Sequence, residues 1–152
     1  MESRPSVTVA AVIERGGRFL LVEEEDEGRM LFNQPAGHLE QYESLVEGCR
    51  REVLEESAWH FQPRALVGIY RWRKPDSASG DGVTYVRFAF CGDLGEHEPG
   101  RKLDAGIVRA VWLAPDEIRG LRERHRSPLV LRCMEDYLAG RRFPLDALVD
   151  HA

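Results

Sequence analysis

Glu52, Glu55 and Glu56 stand three and four positions apart in the segment from Leu45 to Ala58. At helical spacing this puts three carboxylates on one face of one helix. Each neighbouring like-charge pair destabilises a helix by roughly 0.2–0.5 kcal/mol, so a cation is wanted to offset them. The helix has its own signal: Ser44 followed by Glu47 is a capping-box spacing, in which each side chain satisfies the other residue's backbone donor. Oxygen-only ligands suit a hard divalent ion, Mg²⁺ or Mn²⁺, better than Zn²⁺. Arg51 lies four residues before Glu55 and can orient its carboxylate from behind. Glu43, just ahead of the helix, can reach the same region or hold Arg51. For three glutamates alone, a solvated acidic face is the plainer reading; the residues around them argue otherwise.

Along the chain, Val7 to Ile13 and Arg18 to Glu23 read as a hairpin closed by Gly16-Gly17, where glycine supplies positive φ. Further strands are expected from Ala65 to Trp72, Val83 to Cys91 and Ile107 to Leu113. In the second of these, Val83, Tyr85, Arg87 and Ala89 alternate with Thr84, Val86, Phe88 and Phe90. The stretch Pro75 to Gly82 reads as a flexible surface loop. Pro115 opens a short helix. A last helix is expected from Pro128 to Ala139, capped by Ser127 and stopped by Gly140. Strands with interspersed helices and no regular βαβ alternation suggest an α/β (α+β) chain with a mixed sheet packed between helices. The 152 residues, 43% hydrophobic and 31% charged, suit one domain with a real core.

The 26 acids and 21 bases give a net charge of −5. The unbroken run Glu23 to Glu27 carries that imbalance and reads as the opening of a solvated loop that ends near Leu31-Phe32. No apolar stretch approaches the ~18–20 residues of a membrane span. The N-terminus is too polar for a secretory signal, and no basic tail supports nucleic-acid binding. Cys49, Cys91 and Cys133 are too sparse for a disulfide framework and read as buried thiols of a reduced, cytoplasmic protein.

Gly37, Glu43, Arg51, Glu52, Val53, Glu55, Glu56, Ala58 and Trp59 follow, in order and spacing, the Nudix box, and over residues 37–59 the chain resembles the Nudix hydrolases. One position departs: Ala58 stands where the family usually has glycine, which should alter the helix exit. Val7 to Ala10, Asn33 to Glu40, Arg126 to Val130 and Gly140 to Leu145 are similar to the NudJ-type phosphatases of bacteria, a likeness that spans Pro5 to Asp146. The resemblance implies a Nudix α/β/α sandwich over residues 1–152 and Mg²⁺-dependent hydrolysis of phosphoanhydrides, with Mn²⁺ as a substitute. It implies nucleoside tri- and diphosphates, or thiamine-pathway pyrophosphates such as hydroxymethylpyrimidine pyrophosphate, as substrates, with release of orthophosphate. Nucleotide sugars, ADP-ribose or dinucleotides are the alternative substrates, and a non-catalytic ligand sensor is the alternative of another class. The partner is a small-molecule phosphoanhydride, with neither nucleic acid nor membrane involved, for a monomer or homodimer.

Carried onto this chain, the metal ligands are Glu52, Glu55, Glu56 and the carbonyl of Gly37. Glu52, Glu56 and Arg51 are the catalytic group, with Glu52 as general base. Asp104, ahead of the Ile107 strand, is a further candidate beside Glu43, although a solvated loop acid is the simpler reading. Arg71, Arg73 and Arg87 are candidates for substrate phosphate, because arginine's planar fork matches its oxygens. Tyr70, Trp72 and Phe32 are candidates for stacking on a ring, against the commoner core role of aromatics. Trp112 is expected in the core, and His38 in a loop.

Overall fold

The computed structural model describes residues 4–75 and 82–151. Nine strands and three α-helices are found there: β1 Ser6–Ala11, β2 Glu14–Arg15, β3 Arg18–Asp26, β4 Arg29–Asn33, β5 Ala36–His38, α1 Leu45–Ser57, β6 Trp59–Lys74, β7 Val83–His97, β8 Ile107–Leu113, α2 Pro115–Gly120, α3 Leu129–Leu138 and β9 Phe143–Pro144. None of the helices is long and apolar enough to cross a membrane. Most of the loop expected from Pro75 to Gly82 lies outside the described residues.

The main sheet runs β5-β1-β7-β6-β9. β1 lies parallel to β7, with Val9 opposite Phe88, and the other pairs are antiparallel, so the sheet is mixed as expected. A second sheet joins β2, β3 and β4, with β8 on the other side of β3. Side-chain alternation along β1 and β7 feeds two cores. On one face, Cys49 and Val53 of α1 pack with Val9, Ala11, Leu66 and Phe90. On the other, Leu129, Cys133 and Met134 of α3 pack with Val67, Ala89 and Cys91 and with Phe19, Leu21 and Phe32 of the second sheet. The three cysteines are buried and free. Phe90 is fully buried, a position where truncation to alanine costs about 3–5 kcal/mol.

The structure corrects three expectations. First, the acidic run is not a loop. β3 continues to Asp26 and turns at Glu27-Gly28 into β4, and Glu24 pairs with Leu31 across the hairpin. Cations facing the run explain this. Glu23 is only 7% exposed and receives Arg109 Nε at 2.8 Å and the guanidinium of Arg124. Arg126 sits 3.6 Å from both Glu24 and Asp26. Paired in this way, carboxylates tolerate a strand. Second, β6 and β7 are far longer than expected, at 16 and 15 residues. Their pairing continues through Pro63 opposite Gly92 to Trp59 opposite His97, absorbing three bulges. Third, Ala58 leaves the helix exit unchanged. It adopts φ 63° and ψ 16°, and its N–H donates to Leu54 O at 3.0 Å. This is the left-handed conformation a glycine takes at a helix C-terminus.

The start of α1 holds, and α3 begins one residue later than expected, at Leu129. Ser44 and Glu47 form the reciprocal capping box, at 3.1 and 3.2 Å. Ser127 Oγ accepts from Leu129 N–H at 3.1 Å ahead of α3, and Gly140 follows that helix at φ 85°.

Left-handed backbone destabilises a non-glycine residue by about 1–2 kcal/mol. Ala58→Gly should therefore stabilise the chain by roughly 0.5–1 kcal/mol net, the buried methyl group taking back part of the gain. Chemical denaturation of the two proteins checks this; a less stable glycine variant contradicts the strain at Ala58.

Candidate active site

The N-terminal capping box fixes α1 so that its acidic face looks across β5 into a cleft of about 510 Å³, floored by β7 and walled by β4 and the start of α3. Arg51 organises the helix side. Its Nε–H donates to Glu43 Oε2 at 2.9 Å and its Nη2–H to Glu43 Oε1 at 2.6 Å, a two-pronged pair. Nη1–H donates to Glu52 at 2.7 Å and to Glu55 at 3.1 Å, and Nη2–H reaches the carbonyl of His38 at 3.0 Å. Glu43 thus holds Arg51 instead of reaching into the cleft, and this contact keeps its carboxyl below the usual range. His38 is exposed on β5 and contributes its backbone.

Glu52 and Glu56 are 7% and 9% exposed, rare values for carboxylates. Burial, reinforced by Glu55 and Asp104, pushes Glu52 up to about 7 against the opposing pull of Arg51. Burial pushes Glu56 up to about 8, with Glu52, Glu24 and Asp104 adding to it, although Ala36 N–H donates to its Oε1 at 3.0 Å. Carboxylate oxygens of Glu52, Glu55 and Asp104 gather within 4.8 Å of one another. Glu56 stands outside that trio but lines the same cleft. Asp104 is exposed, as a loop acid should be, yet it is drawn in because its N–H donates to Glu55 O at 3.0 Å. Gly37 lies against this group: a Cβ there would stand 2.2 Å from the Glu52 carboxylate carbon. The donors are all oxygen, close together and under-neutralised, which fits a hard divalent cation.

Of the substrate candidates, Arg87, buried on β7, and Trp72 of β6 lie in the cleft. Arg73 is exposed while its neighbours Trp72 and Lys74 line the cleft, as a two-residue period requires. Tyr70 and Arg71 line a different depression, and Tyr70 Oη donates to Asp136 of α3 at 2.8 Å. Gly68 makes room for that tyrosine, since a Cβ would meet its hydroxyl at 2.7 Å. Phe32 is core, and Trp112 is half-buried beside Trp59.

Sequence reading passed over Tyr85, Asn33, Gln34, Glu24 and Arg126. Tyr85 shares the alternation of Arg87 and was within reach of that argument. It stacks on its cross-strand partner Trp72, with centroids 5.9 Å apart and an angle of 17°. The others come together only through the folding of β3, β4 and the approach to α3.

Raised carboxyl values stabilise the fold below the unfolded value and lose that contribution as pH rises through the folded value. Without divalent metal, the melting temperature should therefore fall as pH rises from about 4.5 to about 8, the span between the unfolded and folded values of Glu52 and Glu56. Added Mg²⁺ should restore it, and more strongly at the upper end. Calorimetric melting with chelator and with Mg²⁺ tests this; a Mg²⁺ effect that shrinks as pH rises contradicts it.

Residues 2–132 match the family model for the NUDIX domain. The chain is 38% identical over 147 residues to the phosphatase NudJ of Escherichia coli K12, covering 97% of this chain and 92% of that protein. A solved NUDIX hydrolase from Nitrosomonas europaea is 52% identical and superimposes with a TM-score of 0.90, covering 97% of this chain and 98% of its own. An ADP-ribose pyrophosphatase from Streptococcus suis, 23% identical with a TM-score of 0.60 over 88% of this chain and 92% of its own, shares the fold. The family model, the NudJ relative and the shared fold together make this chain a member of the Nudix family and a hydrolase.

Proposed function

We propose that the chain is a Mg²⁺-dependent Nudix phosphatase, with Mn²⁺ as a substitute. On this reading it hydrolyses phosphoanhydrides of nucleoside tri- or diphosphates, or of thiamine-pathway pyrophosphates such as hydroxymethylpyrimidine pyrophosphate, and releases orthophosphate. The observation that carries it is the gathering of under-neutralised carboxylates around Glu52 at one end of a cleft that has a cation, Arg87, on its floor. The NudJ relative is named a phosphatase, which supports orthophosphate release over cleavage into two monophosphates.

Glu52, Glu55, Glu56 and the carbonyl of Gly37 would hold the metal, with Asp104 beside them. When bound, the ion supplies Lewis-acid polarisation of phosphoryl oxygens and neutralises developing charge. Arg51 keeps Glu52 and Glu55 turned toward the cleft, and Glu43 holds Arg51 in place. Glu52, at the metal end of the cleft, takes the proton of the attacking water. The Trp72–Tyr85 pair offers a flat wall for a heterocycle. The three buried free cysteines fit a cytoplasmic protein. It would work as a monomer or homodimer, on small molecules and without nucleic acid.

A panel of phosphoanhydrides with colorimetric phosphate detection, run with and without a coupling phosphatase, tests the reading. Signal is expected without the coupling enzyme. Signal only with it would instead indicate a pyrophosphatase acting on nucleotide sugars, ADP-ribose or dinucleotides, and inertness with Mg²⁺ a ligand sensor. Glu52→Gln and Glu56→Gln should each lower turnover by about 10²–10⁴-fold while leaving the circular dichroism spectrum intact. Near-wild-type phosphate release by Glu56→Gln would remove that residue from the machinery.

A further inference from the structure

Arg87 is a buried cation with no ion-pair partner among the described residues. It is 6% exposed. Its Nη1–H groups donate to Gln34 Oε1 at 2.9 Å and to Cys133 Sγ at 3.9 Å, and Nη2–H donates to Asn33 Oδ1 at 2.9 Å. All three acceptors are neutral. Among the described residues no carboxylate lies within 4.0 Å of the guanidinium, and Glu24 acts on it only through space. Leaving a charge buried and uncompensated is strongly destabilising, so a fold that keeps one facing a cleft has an anion to place against it.

Gln34, one of these acceptors, is itself oriented. Gln34 is 2% exposed, and its Nε2–H donates to Val130 O of α3 at 2.8 Å, so only its oxygen is left for Arg87. Asn33, on the cleft wall, offers its Oδ1 to Arg87. A guanidinium has five N–H donors. Three are engaged as described. Nε–H and the second Nη2–H have no acceptor among the described residues. Nε and Nη2 share one edge of the guanidinium, the edge that can grip two phosphate oxygens at once.

We propose that Arg87, set by Gln34 and Asn33, is the receptor for the second phosphate of the substrate, the one next to the attacked phosphorus. This deepens the hydrolytic reading and rests on it for the word substrate; binding of the anion does not require hydrolysis. The ligand class is a compound with two linked phosphates that both carry free non-bridging oxygens. The carboxylate end of the cleft, with its metal, would hold one phosphate and Arg87 the other. Gln34 and Asn33 are positioning residues, acting through Arg87. The ring of the substrate would then fall beside Trp72 and Tyr85, which line the cleft with Arg87.

Inorganic pyrophosphate titrated calorimetrically into the chelator-treated full chain tests the proposal apart from turnover. Wild type should bind. Arg87→Met should bind about 10- to 100-fold more weakly, the loss of a charge-assisted pair of hydrogen bonds. Arg87→Lys keeps the charge but loses the fork, and should fall between the two. In steady state, Arg87→Lys should raise KM by a larger factor than it lowers kcat. If Arg87→Met fails to fold, as thermal melting will show, Arg87→Lys decides alone. Binding by Arg87→Lys equal to that of wild type, or no binding by wild type, overturns the receptor. The hydrolytic reading fails separately, if wild type with Mg²⁺ cleaves no phosphoanhydride while pyrophosphate binding still depends on Arg87.

Discussion

One guanidinium allows this helix to exist. Arg51 is the only cation in contact with Glu43, Glu52 and Glu55 among the described residues, and it reaches the His38 carbonyl as well. Without it, α1 would bring like charges together against a sheet, where burial makes each ionised carboxylate expensive. With it, the helix ties its acidic face to β5 and to the loop before its own cap. The compensation is incomplete, since one positive charge faces several carboxylates. Burial first, and the remaining like charges after it, hold Glu52 and Glu56 near or above neutrality. On the proposed reading the site accepts either protons or a divalent ion, and that residual demand links the fold to hydrolysis.

The two acidic segments are neutralised in opposite ways. The run Glu23 to Glu27 looks the more charged in the sequence, yet Arg109, Arg124 and Arg126 answer its inner members, and Glu23 sits below the usual carboxyl range chiefly through its bond to Arg109. It is settled structure. The three glutamates of α1 look quieter and are left unsettled. Glu24 joins the two systems: burial raises it, it meets Arg126, and it acts through space on Arg87 and Glu56. On the proposal made for it, Arg87 mirrors the glutamates as a buried charge that an anion outside the chain would meet.

Much of this was legible in the residues. Helix α1, its cap and its acidic face follow from local spacing, because capping and periodicity act over a few positions. Strand β8 was readable for the same reason. The long ladders of β6 and β7 were not: Pro63, Gly92 and Gly95 argue against strands locally, and only pairing with each other keeps them extended. The strand through Glu23 was hidden because its counter-charges lie far along the chain. Asp104 was undervalued for want of a backbone contact to Glu55 that no local pattern displays. Among the arginines of the central strands, alternation separates Arg87 from its neighbours only when the register is known. The placement of Tyr70 against Asp136 required knowing where α3 packs.

The central claim is that the carboxylates beside Arg51, and not the louder acidic run, are where a divalent cation binds. Crystals soaked in Mn²⁺ and measured at the manganese absorption edge locate the ion directly. The account predicts an anomalous peak between the Glu52, Glu55 and Glu56 carboxylates and the Gly37 carbonyl, at oxygen distances of about 2.0–2.3 Å. A peak on the Glu23–Glu27 hairpin with none beside Glu52 would contradict it.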